Sequence, residues 1–312
     1  MKVLITYTVK EPLKNNFVSR FPDIQFDFKS IEEAKVEEYE IISSYGEDLT
    51  EETIHQAKQL KWLMIASAGV NELPLSVIKE KGIKVTNVSG IHKTPMAESI
   101  LAHLLSYYRG LQTIYSQQAN KEWKKIQQTE LKGKTALIVG PGRIGQEVAR
   151  LLQAFGVKTI GLNHSGKQVE YFNQVAKVDN LMKELPGADI IISLLPSTKE
   201  THHLYQPEHF QAMKDTAIFM NFGRGDAVAS STIIQALEAG EIAKVVLDVF
   251  EKEPLPSDHP LWTIEDVVIS PHASSHSSKY LERALEIFSN NLTNYQSGNN
   301  KFINLVDLDK GY

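Results

Sequence analysis

Short apolar runs of strand length, separated by stretches with helical periodicity, recur along almost the whole chain, and this alternation restricts the fold more than any other feature. It is the pattern of repeated strand, helix, strand units with parallel strands. The chain is therefore expected to be α/β. A first set of runs covers residues 3–6, 24–28, 41–44, 62–65 and 84–86, enough for a complete small sheet. A second covers residues 135–139, 159–162, 190–195, 217–221, 245–249 and 267–270, and six parallel strands are what a dinucleotide fold needs. Between the sets, Ile100, Leu101, Leu104, Leu105 and Tyr108 recur at helical spacing, with Pro95 suited to a first turn. One long linking helix is expected over residues 95–118. Residues 277–295 again read as a helix, through Leu281, Leu285, Phe288 and Leu292, and the apolar tail 302–305 is expected to pack back on the first domain. The predicted organisation is one domain from residues 1–94 and 277–312, with a second, 95–276, inserted into it and carrying the crossing helix.

Composition narrows the partners. With 312 residues, 42% of them hydrophobic, the chain can build two cores. A formal charge of −5 without long blocks of one sign gives no footprint for nucleic acid or an anionic membrane, so a small molecule is the expected partner. The absence of cysteine excludes disulfides and thiolate chemistry. No stretch of eighteen apolar residues occurs and the start shows no leader-like pattern, so a cytoplasmic location is expected. No His or carboxylate pair has a persuasive metal-ligand spacing.

A glycine-rich turn, Gly140-Pro-Gly142-Arg143-Ile144-Gly145, directly follows an apolar strand and precedes a helical stretch. Alone such a pattern is an ordinary strand-to-helix turn; in this context it predicts a dinucleotide site. Gly140 allows the tight turn, Gly142 lets the backbone approach a pyrophosphate, and Gly145 permits close helix packing. Arg143 reads equally as a cation beside the phosphates or as a solvated first-turn arginine. Leu195, Pro196, Thr201, Phe222 and Gly223, at or just beyond strand ends, complete the expected cofactor lining together with Ile144.

Three further polar groups stand where strands of the second set end: Arg224 in Asn221-Phe-Gly-Arg224-Gly, Glu253 in Glu251-Lys-Glu253-Pro254, and His272 in Ser270-Pro-His272. Singly each is an ordinary surface group. Together they suit reduction of a 2-keto acid. A guanidinium can bind carboxylate and carbonyl oxygen at once, an imidazolium can supply the proton, and a carboxylate favours the charged imidazole.

These segments, with Leu247-Asp248-Val-Phe ahead of Glu251, resemble the D-isomer-specific 2-hydroxyacid dehydrogenase family over essentially the whole chain, in its NADP-preferring glyoxylate/hydroxypyruvate reductase-like branch. The resemblance implies two doubly wound parallel-sheet domains, a Rossmann dinucleotide-binding domain inserted into a flavodoxin-like substrate domain, and a cleft that closes on substrate. It implies catalytic roles for Arg224, Glu253 and His272, and it alone chooses Glu253 over Glu251. Asp248 is implied to bind the nicotinamide carboxamide. The loop Ser67-Ala68-Gly69-Val70-Asn71 is implied to hold the substrate carboxylate with the amides of Ala68, Gly69 and Val70, although by itself it is merely a strand-end turn. The same resemblance puts Thr94 near the nicotinamide and suggests a homodimer. His92 and His276 are read as structural or surface groups.

Two other readings compete. A corepressor-like branch resembling this family senses dinucleotides and binds partner peptides, but no basic or low-complexity tail is seen here; a formate-oxidising branch carries glutamine in place of the triad glutamate. Relatives acting on phosphorylated acids place cations in the early loop, which here reads Ser43-Ser-Tyr-Gly-Glu47-Asp48, and often carry a regulatory domain beyond the point where this chain ends. Phosphate recognition is disfavoured. At the end of the second strand of the cofactor domain, where an acidic residue usually binds the adenosine ribose, stand Asn163, His164, Ser165, Gly166 and Lys167. Without a carboxylate to repel a 2′-phosphate, NADP is the expected cofactor, with NAD possible.

Overall fold

A computed structural model describes residues 1–70, 72–299 and 301–309. The chain divides into two compact units, Met1–Ile91 with Ser277–Tyr312, and His92–His276. In the first, strands β1 (Lys2–Ile5), β2 (Gln25–Phe28), β3 (Ile41–Ser44), β4 (Trp62–Ile65) and β5 (Lys84–Asn87) form a sheet of order β2-β1-β3-β4-β5. All neighbours are parallel, in the flavodoxin-like order. Trp62 is fully buried, with its indole N–H donating to Thr86 Oγ1 at 2.9 Å. The tail returns to this unit. Leu305 bridges to Thr86, and the Phe302 ring lies 5.3 Å from that of Trp62.

The second unit holds β6 (Thr135–Val139), β7 (Lys158–Asn163), β8 (Gln174–Lys177), β9 (Ile190–Ser193), β10 (Ile218–Asn221), β11 (Lys244–Leu247) and β12 (Val267–Ile269). Their order is β12-β11-β10-β9-β6-β7-β8, again all parallel. Here there is one strand more than the six expected. Edge strand β8 pairs only with β7, and its four residues, Gln-Val-Ala-Lys, are exposed at both ends, so they carry little apolar signal. Counted from β6, the order is 3-2-1-4-5-6-7, which reverses between β6 and β9; ligands of such sheets bind at the carboxyl ends of the strands at that point.

The expected single linking helix is two. Helices Lys93–Tyr108 and Leu111–Ala119 are separated at Gly110, whose φ of 60° lies in the left-handed region. A side chain there would also meet Ile126 Cδ1 at 2.6 Å. Met96, Ile100, Leu104 and Tyr108 of the first helix pack in one core with Val148, Leu152 and the sheet residues Ile138 and Ile192. Leu137, Val139, Ile191 and Phe219 face the opposite core, the alternation expected of strands covered on both sides. Among the described residues no helix is long and apolar enough to cross a membrane.

Candidate active site

The glycine turn leaves β6 at the switch point. Gly140 has φ 97°, and a Cβ on it would lie 2.8 Å from the Leu194 carbonyl oxygen just beyond β9. Gly145 approaches the Gly140 carbonyl as closely, 2.7 Å from an added Cβ. Gly142 is different. Nothing lies within 4 Å of an added Cβ, and it precedes the helix Arg143–Ala154 without any side-chain cap. The first-turn amides of that helix have no intrahelical acceptor, which suits a dinucleotide pyrophosphate. Arg143 and Ile144 occupy the first two helical positions.

Beyond β10 the chain is packed backbone against backbone. An added Cβ would sit 2.5 Å from the Leu195 oxygen at Gly223, and 1.9 Å from the Phe250 carbonyl carbon and oxygen at Gly225. Asn221, fully buried, ties this turn: its Nδ2 donates to the Arg224 carbonyl at 2.9 Å and its Oδ1 accepts from the Gly223 amide at 3.2 Å. Arg224 is thereby held in an extended conformation with its side chain exposed, one Nη donating to the Gly223 carbonyl at 2.8 Å. Phe222 is buried and packs near His103, so only its backbone is left to line a ligand. Leu195 is also buried, while Thr201 Oγ1 donates to the Pro196 carbonyl at 2.6 Å and shapes the turn after β9.

His272 and Glu253 meet. Nδ1 of the imidazole lies 2.7 Å from Glu253 Oε2, and Oε1 of the same carboxylate accepts from the Phe250 amide at 2.9 Å. The peptide bond Glu253–Pro254 is cis. Glu251 is occupied elsewhere: it accepts from the Ser230 amide at 2.7 Å and pairs with His203 at 3.4 Å. His272 has φ 51°, uncommon for a residue with a side chain, and its amide is held by the carbonyls of Asp248 and Ser270, each at 2.9 Å.

Asp248 organises that loop. Its carboxylate is buried and accepts from the hydroxyls of Ser270 and Ser274 and from the amides of Ala273, at 3.0 Å, and Ser274, at 3.2 Å. Neither Asn221 nor this serine pair was singled out by the sequence, because their polar atoms serve the protein's own backbone. Burial holds the imidazoles of His92 and His103 below the ordinary histidine value; Asp248 opposes this for His103. Thr94 lies in the first turn of helix Lys93–Tyr108, and His276 is exposed.

The turn after β7 is closed by its own side chains. Asn163 Nδ2 donates to the Lys167 carbonyl at 3.0 Å, and its Oδ1 accepts from the Gly166 amide at 2.6 Å and from Ser165 Oγ at 3.3 Å. Asn163 and Ser165 are thus committed to the turn, whereas His164 and Lys167 extend from it, exposed.

In the first unit, the Ala68 carbonyl accepts from Asn87 and the Gly69 carbonyl from Ser67, both at 2.8 Å. Among the described residues no acceptor engages the amides of Ala68, Gly69 and Val70. Asn71 lies outside the described residues. A cavity of about 270 Å³ beside the loop is lined by Tyr45, Glu47, Ser67, Gly69, Val70 and Glu72. Asp48 instead accepts from Ser44.

Residues 101–274 match the family model for the NAD binding domain of D-isomer specific 2-hydroxyacid dehydrogenases. A glyoxylate reductase of Thermofilum pendens is 34% identical over 248 residues, 77% of this chain and 73% of that one. A glyoxylate reductase/hydroxypyruvate reductase of Mus musculus is 35% identical over 244 residues, 75% and 73% of the two chains. Among solved structures, a D-isomer specific 2-hydroxyacid dehydrogenase family protein from Aeromonas salmonicida subsp. salmonicida matches with a TM-score of 0.85 and 33% identity, covering 99% of each chain. The chain belongs to the D-isomer specific 2-hydroxyacid dehydrogenase family. It is an NAD(P)-dependent oxidoreductase acting between 2-keto and D-2-hydroxy acids, and the corepressor-like alternative is not favoured.

Proposed function

We propose that this enzyme is an NADPH-preferring reductase of small, unphosphorylated 2-keto acids, with Arg224, Glu253 and His272 as its catalytic residues. The contact between His272 Nδ1 and Glu253 Oε2 carries the reading, because it fixes the ring and leaves Nε2 for a substrate oxygen. The nicotinamide, when bound, supplies the hydride that C2 accepts. His272 gives a proton to the carbonyl oxygen, so that keto acid, NADPH and one proton become hydroxy acid and NADP. Arg224 binds the carboxylate and stabilises the negative charge developing on that oxygen. In the first unit, the amides of Ala68, Gly69 and Val70, which no described acceptor engages, are suited to a carboxylate. Asp248 keeps the His272 loop in place, and a carboxamide would compete with the four donors it already accepts. Replacing Glu253 with Gln removes the carboxylate that holds the ring, so kcat/KM for 2-keto acids is expected to fall about tenfold or more, about 1.4 kcal/mol, while dinucleotide binding is retained. Unchanged kcat/KM argues against the pairing role.

The NADPH preference rests on the turn after β7, with no carboxylate and with His164 and Lys167 exposed. Asn163→Asp keeps both acceptor bonds, loses the donor to Lys167 and adds a charge that repels a 2′-phosphate, so preference is expected to move toward NADH. Comparison of kcat/KM for the two cofactors checks this. A tenfold NADH preference in the native enzyme, about 1.4 kcal/mol, overturns it.

Glu47, in the cavity beside the substrate loop, supports exclusion of a phosphorylated acid. Small 2-keto acids assayed against 3-phosphohydroxypyruvate with both reduced cofactors test the function; a preference for the phosphorylated acid reverses it. We also place the enzyme in the cytoplasm as a homodimer without nucleic acid partners. Exposed Tyr115 and Trp123, on and just after helix Leu111–Ala119, support self-association.

A further inference from the structure

A second cavity, of about 510 Å³, lies entirely within the unit that carries the catalytic pair. His272 and Glu253 form one wall, and the remainder is apolar, chiefly Pro254, Leu255, Trp262 and Ile269. Apart from His272 Nε2, its polar side-chain groups each have a partner already. Both Glu253 oxygens are engaged, by His272 and by the Phe250 amide, and the Trp262 indole N–H donates to the Pro256 carbonyl at 2.8 Å, which also fixes the ring. A phosphate entering this space would meet the Glu253 carboxylate, and a hydroxymethyl would give up water for few new partners along a wall that is otherwise apolar. An apolar group would lose only its exposure to water.

We infer that this cavity receives the side chain of the substrate, and that the preferred substrates are 2-keto acids with a branched aliphatic or aromatic side chain rather than glyoxylate or hydroxypyruvate. The inference rests on the reductase reading above and names its substrate class. Leu255 and Trp262 are then specificity-determining residues. Glyoxylate, with no carbon substituent beyond C2, leaves the cavity unused. Relative to pyruvate, 2-ketoisocaproate adds three carbons, and burial of each CH₂ is worth roughly fourfold, or about 0.8 kcal/mol, which bounds the gain near ~60-fold.

The test is a series of kcat/KM values for glyoxylate, hydroxypyruvate, pyruvate, 2-ketoisovalerate, 2-ketoisocaproate and phenylpyruvate, with the better of the two reduced cofactors. The native enzyme is expected to favour 2-ketoisocaproate over pyruvate by about tenfold or more, with hydroxypyruvate no better than pyruvate. Leu255→Gln and Trp262→Ala are each expected to shrink the ratio of 2-ketoisocaproate to pyruvate severalfold. If glyoxylate and pyruvate turn over but the native ratio is flat or inverted, the cavity assignment falls and the reductase reading stands. A native preference that both variants leave intact also removes the assignment, because the selectivity then lies elsewhere. If no 2-keto acid is reduced with either cofactor, the reductase reading falls and the inference with it. The native series decides the matter should a variant fold poorly.

Discussion

Replacement of Arg224 by alanine is expected to lower kcat/KM for 2-keto acids by about a hundredfold or more, about 3 kcal/mol of transition-state stabilisation, the scale for loss of one oxyanion donor. The structure separates this effect from a loss of stability. Arg224 is exposed, the one described hydrogen bond of its side chain runs to the adjacent Gly223 carbonyl, and no carboxylate among the described residues forms a salt bridge with it. Its removal therefore leaves no buried charge unpaired and takes one donor from the Gly223 carbonyl. The turn beneath it is tied by Asn221, whose contacts are to backbone atoms that alanine retains. Melting temperature and dinucleotide binding are expected to stay near native while turnover falls. Lysine in its place keeps the charge but loses the planar fork, and is expected to recover little. Near-native turnover of Arg224→Ala rules out the assigned role.

A second large effect is expected at Gly225. Its added Cβ would lie 1.9 Å from the Phe250 carbonyl carbon and oxygen and 2.6 Å from the Glu251 amide nitrogen. All three obstacles are backbone atoms, so no rotamer change relieves the clash and the loops must part. Overpacking of this kind costs about 1 to 3 kcal/mol or more, which lowers the melting temperature by several degrees in a chain of this size. The same displacement disturbs Arg224 on one side and, through the Phe250 amide, Glu253 on the other. Activity is expected to fall with stability. Gly142→Ala is the contrasting case: nothing lies within 4 Å of the new Cβ, so stability is expected to change little while dinucleotide affinity drops. Thermal melts with both variants measure the difference, and a Gly225→Ala protein that melts and turns over like the native one refutes the argument.

Much of the architecture was legible because buried parallel strands must be nearly continuous apolar runs, as in Ile-Ile-Ile of β9 or Lys-Val-Val-Leu of β11. β8 was not, since an edge strand has no such requirement. The break at Gly110 is not legible in the sequence because apolar periodicity continues on both sides of it, through Tyr108 and Leu111, and only the backbone angle tells a helical glycine from a terminating one. In the candidate site, residue identity pointed to Arg224 and His272, but Glu251 and Glu253 are chemically equivalent in one dimension. Three-dimensional partners tell them apart, Ser230 and His203 for one, Phe250 and His272 for the other. The supporting roles of Asn221, Ser270 and Ser274 could not be read at all, because small polar residues at strand ends are common and their meaning lies in which backbone atoms they reach.

The turn closed by Asn163 has a practical consequence for redesign. Its side-chain hydrogen bonds run among residues 163–167, so on the proposed reading it can be exchanged whole to retarget the cofactor, provided a residue that closes the loop is kept at position 163. The segment around Arg224 offers no such freedom. Wedged at Gly223 against the chain after β9 and at Gly225 against the chain after β11, it can be transplanted to another scaffold only together with both neighbours.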